Sequence, residues 1–121
     1  MAKILIVDDD LETIKLLESI VKMDGHEPFA IHESRNALKA VETIMPDLVL
    51  LDIMMAEING IAICKLIRSD PKISHTKVIM VSALNDDGTK RDAANAGANQ
   101  FITKPILPRI FLSQIKDVLE Q

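Results

Sequence analysis

The sequence predicts an α/β domain spanning residues 1–121, in which helices cover both faces of a doubly wound parallel sheet of five strands. Short runs of aliphatic and β-branched residues alternate with longer segments whose apolar residues recur at helical spacing. The runs KILIV, DLVLL and KVIMV are apolar at nearly every position, which is typical of parallel strands covered on both sides. Because crossovers between parallel strands are right-handed, this alternation favours one open sheet between two helical layers.

Each element follows from a local pattern. The expected strands are Lys3–Val7, Glu27–Ile31, Asp47–Leu51, Lys77–Val81 and Asn99–Thr103, and the second and fifth belong nearer the sheet edges because they are less apolar. The expected helices are Leu11–Met23, Ser34–Ile44, Asn59–Arg68, Asp86–Ala96 and Pro108–Leu119. Their apolar stripes are expected to be buried, and they comprise Ile14, Leu17, Ile20 and Val21; Ala37, Leu38, Val41 and Ile44; Ile63, Leu66 and Ile67; Phe111, Ile115, Val118 and Leu119.

Capping and stop residues support several helix ends. Ser34 is a predicted N-cap of the second helix, and Pro46 is expected to close that helix. Gly97 is the expected stop of the fourth helix. The fourth helix offers only small apolar residues, so it is predicted to be weakly packed and easy to displace.

Composition excludes several classes of function. The net charge of −4 and the absence of Trp and Tyr argue against direct nucleic acid binding, which needs basic surface and stacking side chains. No apolar run is long enough to span a membrane, which predicts a soluble and, by default, cytoplasmic protein. A single cysteine, Cys64, cannot form an internal disulfide.

Polar residues follow the predicted strands where the chain leaves the sheet. Asp8 and Asp9 follow the first strand, Asp52 the third, Ser82 the fourth, and Lys104 the fifth. In open α/β sheets the ligand chemistry collects beyond the carboxyl ends of the strands. Clustered carboxylates repel one another and attract a hard divalent cation, for which Mg²⁺ with several waters is suited. The amine and the hydroxyl suit the oxygens of a phosphoryl group.

Each of these residues also has an ordinary explanation. Asp9 or Asp10 could cap the first helix, with Glu12 completing a capping box after Asp9. The acid after the third strand could simply meet water, the serine could begin a turn, and the lysine could be exposed. Their joint occurrence at one edge of the predicted sheet favours a functional site.

These residues lie in motifs that resemble receiver domains of two-component response regulators along essentially the whole chain. The motifs are KILIVDDD, DLVLLDIMM around Asp52, VSA at the fourth strand, AGANQFITKP at the fifth, and Gly60 eight residues beyond Asp52. The resemblance implies a flavodoxin-like (βα)5 fold with strand order 2-1-3-4-5.

The resemblance also implies a role for the acidic residues. Asp52 corresponds to the phosphoacceptor, and Asp9 to a direct ligand of Mg²⁺ or Mn²⁺. Asp8 corresponds to a ligand that reaches the metal through water, and the backbone carbonyl of Met54 to a further ligand.

Three other positions match the switch residues of the family. Ser82 corresponds to the switch hydroxyl and Lys104 to the invariant lysine. Phe101 corresponds to the aromatic residue whose rotamer follows phosphorylation, although it could also be an ordinary half-buried strand residue. The bond between Lys104 and Pro105 is expected to be cis.

The sequence departs from the family pattern in two places. Ala56 stands where proline is usual, four residues after Asp52, so the loop there is expected to be more mobile. Many DNA-binding members of the family dimerise through a charged face formed by the fourth helix, the fifth strand and the fifth helix. Lys90 fits that pattern, but uncharged residues occupy other positions of this face where charged residues are common. These uncharged residues are Asn95, Asn99, Gln100 and Ser113. A monomer or weak dimer is therefore expected.

The implied function is a signalling switch rather than an enzyme with a separate substrate. A histidine kinase or phosphotransfer protein would donate a phosphoryl group, the chain would catalyse its own phosphorylation and dephosphorylation, and a downstream protein would recognise the changed surface. The initial Met favours a stand-alone receiver, and a receiver excised from a longer regulator is the alternative. A binding module that works without phosphorylation is less favoured, because the complete set Asp8, Asp9, Asp52, Ser82 and Lys104 is present. A flavodoxin-like cofactor or phosphatase protein is less favoured, because three aspartates after the first strand would repel a permanently bound phosphate.

Overall fold

A computed structural model describes residues 1–121 as five parallel strands and five α-helices. The strands are β1 (Lys3–Val7), β2 (Glu27–Ile31), β3 (Leu48–Leu51), β4 (Lys77–Ser82) and β5 (Gln100–Thr103). They alternate with the helices α1 (Leu11–Met23), α2 (Ala37–Ile44), α3 (Gly60–Ser69), α4 (Asp87–Asn95) and α5 (Pro108–Leu119). The strand order is β2-β1-β3-β4-β5, so the predicted flavodoxin-like fold and the edge positions of β2 and β5 are confirmed.

Each face of the sheet has its own apolar core because successive residues of a strand point to opposite sides. Ile4 and Ile6 of β1 belong to a cluster of 15 buried residues that includes side chains of α1 and α5. Leu5 and Val7 belong to a second cluster of 15 that includes side chains of α2, α3 and α4. Burial on both faces explains why the central strands are continuously apolar.

Hydrogen-bonding side chains cap three of the helices. Asp10 caps α1 by accepting the Glu12 N–H at 3.2 Å, so the alternative cap at Asp9 and its capping box are not formed. Asn59 and Asp86 cap α3 and α4 in the same way. Asp10 therefore satisfies the start of α1, and the carboxylate of Asp9 is left for other contacts.

The start of α2 differs from the prediction. Residues Ser34–Asn36 form a 3-10 turn, and α2 begins only at Ala37. Ser34 does not cap the helix, because its side chain is buried and bonds a distant loop instead. The predicted ends are confirmed: α2 stops at Met45, with φ of 52°, directly before Pro46, and Gly97 with φ of 102° follows α4.

The apolar stripe of α3 is rotated relative to the prediction. Leu66 is 44% exposed, whereas Ile63, Cys64 and Ile67 are buried. Cys64 takes the inward position because the stripe runs through i, i+3, i+4 and i+7 from Gly60. On α4 one residue is buried, which agrees with the predicted weak packing. None of the helices has the length and apolar character needed to cross a membrane.

Candidate functional site

Backbone hydrogen bonds bring the predicted site residues to one edge of the sheet. The N–H of Asp52 donates to the carbonyl of Val7 at 2.9 Å, which fixes the end of β3 beside the end of β1. The N–H of Lys104 donates to the carbonyl of Ser82 at 2.8 Å, which does the same for β5 and β4. The strands are parallel, so these ends lie on the same side of the sheet.

Three carboxylates converge at this edge. Asp8, Asp9 and Asp52 each place an oxygen within 4.8 Å of the others. Asp8 and Asp52 are only 2% and 6% exposed, whereas Asp9 is exposed to solvent. A set made only of oxygens, with one open side for water, fits the ligand preference of Mg²⁺. Met54 follows Asp52 by two residues, and the role of its backbone carbonyl stays a prediction.

Burial and the neighbouring carboxylate make the charged form of Asp52 costly. Burial raises the pKa of Asp52 to about 6, and the negative charge of Asp8 acts in the same direction, while Lys104 opposes both. Near neutral pH the cluster therefore holds several mutually repelling charges with a single amine beside them. A divalent cation would relieve that repulsion.

Lys104 lies between two of the carboxylates. Its Nζ donates to Asp8 Oδ2 at 3.1 Å and stands 3.9 Å from Asp52 Oδ2. The bond that follows it, to Pro105, is cis, as the resemblance implies. The amine is therefore within reach of any group attached to the Asp52 carboxylate.

The three consecutive aspartates have three different sets of partners. Asp8 accepts the N–H of Asp10 at 2.9 Å in addition to the lysine amine. Asp9 accepts the N–H of Ala56 at 3.4 Å and no other hydrogen bond from the protein. Asp10 accepts the hydroxyl of Thr13 at 2.8 Å, and this bond holds the pKa of Asp10 below its usual range.

Ser82 is fully buried at the end of β4. Its Oγ accepts the N–H of Leu84 at 3.1 Å, and the hydroxyl donates to no acceptor of the protein. Because a hydroxyl can donate and accept at once, its hydrogen is free to bond an incoming oxygen.

Phe101 lies at the surface formed by β5, α4 and α5. The residue is half-buried on β5 and packs against the core on the α4 side of the sheet. Lys90 of α4 places its Nζ 6.0 Å from the ring centroid. A shallow cavity of about 230 Å³ adjoins Phe101 and is lined by β5 and α5, including Leu107 and Ile110. Sequence reasoning did not predict this cavity.

Two further residues contact the segment around Asp52. A Cβ atom at Gly60 would overlap the carbonyl oxygen of Asp52, so only glycine fits there. The hydroxyl of Ser34 bonds the carbonyl of Ala56 and the N–H of Ile58. Sequence reasoning missed this role of Ser34, but its spacing from Ala37 and Val41, at i, i+3 and i+7, is a signal for a buried residue.

Comparison with known proteins identifies the family. A family model of the response regulator receiver domain matches residues 4–116. The response regulator PleD of Caulobacter vibrioides is 30% identical over 117 residues, which make up 97% of this chain and 26% of PleD. The DNA-binding response regulator MtrA of Mycobacterium tuberculosis is 32% identical over 114 residues, which make up 94% of this chain and 49% of MtrA. The chain thus spans about a quarter to a half of the length of these relatives.

Solved structures agree with the family match. A CheY-like response regulator receiver domain protein of Methanospirillum hungatei superposes with a TM-score of 0.92 and 28% identity, over 99% of this chain and 94% of that one. The family model covers nearly the whole chain, and the fold, the strand order and the acidic cluster agree with it. The chain therefore belongs to the receiver domain family of two-component response regulators.

Proposed function

We propose that the chain is a phosphorylation-dependent switch that accepts a phosphoryl group on Asp52 from a histidine kinase or a phosphotransfer protein. The observation that supports this most directly is the position of Asp52. Its carboxylate is buried at the end of a central strand, within 4.8 Å of two other acids and 3.9 Å from the amine of Lys104. Few structural roles need three acids and one amine at that spacing.

The proposed reaction is a transfer between two nucleophiles. An oxygen of the Asp52 carboxylate attacks the phosphorus, and the bond from phosphorus to the histidine nitrogen of the donor breaks as the aspartyl phosphate forms. The leaving imidazole keeps the electron pair of that bond. The Asp52 carboxylate is buried and therefore holds few water molecules that would have to be displaced before it attacks.

The surrounding residues share the charge of the phosphoryl group. Asp8, Asp9, Asp52 and the backbone carbonyl of Met54 would hold Mg²⁺ or Mn²⁺, which when bound neutralises the carboxylates and shields the phosphoryl oxygens. Lys104 would move its amine from Asp8 toward a phosphoryl oxygen, a short shift given the distances of 3.1 and 3.9 Å. Ser82 would donate its free hydroxyl hydrogen to another of these oxygens.

The signal would leave through α4, β5 and α5. As Ser82 turns toward the phosphoryl group, Phe101 would rotate inward and the surface beside Lys90 would change shape for a downstream protein. This is a shift between two existing populations, which the weak packing of α4 makes easier. In this proposal the chain is a cytoplasmic monomer or weak dimer. It binds neither membranes nor nucleic acid, and it catalyses no reaction of a separate substrate.

Phosphorylation by a small donor tests the proposal. Wild type, Asp52→Ala and the control Asp117→Ala, an exposed acid on α5, are incubated with acetyl phosphate and Mg²⁺. Wild type and the control should gain the mass of one phosphoryl group, which hydroxylamine removes, and Asp52→Ala should gain none. Mass spectrometry is the suitable readout because the chain has no Trp. Equal labelling of wild type and Asp52→Ala, or no labelling of either, would contradict the proposal.

Two further arms separate the competing functions. Chelation of the divalent cation should abolish labelling of wild type. A binding module that works without phosphorylation would neither bind Mg²⁺ nor change its NMR spectrum with acetyl phosphate. A phosphorylated switch should show amide shifts around Phe101 and α4 that Asp52→Ala lacks.

A further inference from the structure

Ser34 lies beneath the β3–α3 loop, residues 52–59, although it is far from that loop in sequence. The side chain is buried, with 3% of the residue exposed. Its Oγ donates to the carbonyl oxygen of Ala56 at 2.5 Å and accepts the N–H of Ile58 at 3.2 Å. The hydroxyl therefore uses both its donor and an acceptor position on one loop.

The loop has a strained backbone between these two contacts. Glu57 is not a glycine but has φ of 73°, a left-handed conformation that is costly for a residue with a Cβ. The N–H of Ile58 also donates to the carbonyl of Ala56 at 3.0 Å, which closes a three-residue turn around Glu57. Such a conformation persists only where the surroundings hold it, and Ser34 bonds both ends of the turn.

The same loop contacts the acidic cluster. The N–H of Ala56, the residue whose carbonyl Ser34 binds, donates to Asp9 Oδ2 at 3.4 Å. This is the one hydrogen bond from the protein that the Asp9 carboxylate accepts, and Asp9 is otherwise exposed. An exposed carboxylate with a single long bond depends on the position of its donor for its orientation.

We propose that Ser34 is a positioning residue for the metal site, acting through the loop on Asp9. The inference rests on the proposed function, since it assigns Asp9 to a bound cation. The hydroxyl fixes the turn at Glu57, the turn fixes the N–H of Ala56, and this N–H orients the Asp9 carboxylate toward its two neighbours. A capping role does not explain Ser34, because the hydroxyl bonds neither the 3-10 turn nor α2.

The test compares Ser34→Ala with Ser69→Ala in the full chain labelled with ¹⁵N. Ser69 is a matched control, because it is exposed and its hydroxyl bonds the carbonyl of Leu66 within its own helix, away from the loop. Two quantities are measured: amide hydrogen exchange of Ile58 without metal, and the dissociation constant for Mg²⁺ from amide shifts. Ser34→Ala should speed exchange of Ile58 by about tenfold. It should raise the Mg²⁺ dissociation constant by about three- to tenfold, since loss of an outer contact commonly weakens metal binding by this order or more.

The control should leave both quantities at their wild-type values. Faster exchange with an unchanged Mg²⁺ dissociation constant would overturn the proposal, because the hydroxyl would then hold only the loop. An unchanged exchange rate of the Ile58 amide in Ser34→Ala would also overturn it, because the hydroxyl would then not hold the loop. If Ser34→Ala does not fold, Ser34→Cys, which keeps a side chain of similar size with a weaker donor, should show the same changes in reduced form. Failure of the proposed function would differ, because wild type itself would not bind Mg²⁺.

Discussion

The amine of Lys104 bonds Asp8, at 3.1 Å, more closely than it approaches Asp52, at 3.9 Å. Asp8 is the more deeply buried of the two acids, so the lysine compensates the charge that water reaches least. The Asp52 carboxylate is left without a direct ion pair at hydrogen-bonding distance, which agrees with its raised pKa. In the proposed reaction, this arrangement leaves the oxygens of Asp52 free to attack the phosphoryl group.

Lys104→Met should separate metal binding from phosphorylation. Removal of the amine takes away a positive charge that repels a cation, so the affinity for Mg²⁺ should hold or increase. Phosphorylation by acetyl phosphate should slow by roughly 10- to 100-fold, because a charge that stabilises the transferred group is lost. Mass spectrometry over time and Mg²⁺ titration measure the two effects, with the exposed Lys116→Met as the control. An unchanged labelling rate would show that Lys104 has no part in the transfer.

Asp52→Asn should stabilise the protein without metal, and more so at pH 7 than at pH 4. In the wild type the pKa of Asp52 is about 6 in the folded state against 3.8 as the ordinary value. Between these values the folded chain binds more protons than the unfolded chain, so the wild type loses stability as pH rises through this window. The free energy of unfolding of the wild type should fall by at most about 3 kcal/mol across this window, because one pKa unit corresponds to about 1.4 kcal/mol.

Urea unfolding of wild type and Asp52→Asn, at pH 4 and at pH 7 with a metal chelator present, measures the difference between their free energies of unfolding. Other titrating groups are common to the two chains, so the gap between their unfolding free energies isolates Asp52. Saturating Mg²⁺ should narrow the gap at pH 7, because the cation compensates the carboxylate that the variant lacks. A gap that is equal at pH 4 and pH 7 would mean that the pKa of Asp52 is not raised.

Gly60→Ala should damage both the fold and the site. A Cβ at this position would overlap the Asp52 carbonyl oxygen, which is main-chain and cannot turn away as a side chain could. We expect a loss of about 3 kcal/mol or more in the free energy of unfolding, measured in urea, and slower phosphorylation of Asp52. Gly88→Ala is the matched control. It lies within α4, where the nearest atom is Asp86 Oδ2 at 3.4 Å, so it should be neutral or stabilising by up to about 1 kcal/mol.

Arg68→Ala should destabilise the opposite end of the sheet. The guanidinium donates to the carbonyls of Gly97, Ser74 and Thr76 at 3.0, 3.0 and 2.6 Å, and to Asn99 Oδ1 at 3.0 Å. It thereby joins the end of α3 to the start of β4 and to the turn after α4. Loss of these bonds should cost about 3 kcal/mol in urea unfolding. The exposed Arg91→Ala should stay within about 0.5 kcal/mol of wild type, and an equal effect of both substitutions would contradict this role.

Much of the fold could be predicted because its signals are local. The bounds of β1, β2, α1 and α5 agree with the prediction to the residue, since apolar periodicity and helix ends are properties of neighbouring residues. The order of the strands in the sheet, by contrast, could not be predicted from local patterns. Alternation of strands and helices is compatible with several orders, and the order 2-1-3-4-5 came from the resemblance.

The parts that sequence reasoning missed depend on contacts between distant segments. Ser34 looks like a helix cap by its position, and only its depth beneath the β3–α3 loop gives it another partner. Asp10 rather than Asp9 caps α1 because the helix begins at Leu11, and a shift of this start by one residue would select the other aspartate. The preference of Lys104 for Asp8 is a matter of less than 1 Å, which no residue pattern encodes.

The three aspartates after β1 leave no spare length between strand and helix. Asp8 still belongs to the buried edge of the sheet, and Asp10 already begins α1 as its cap. Insertion or deletion of one residue here would shift the three carboxylates relative to the partners that each of them contacts. We therefore expect this turn to tolerate substitutions of its residues better than any change in its length.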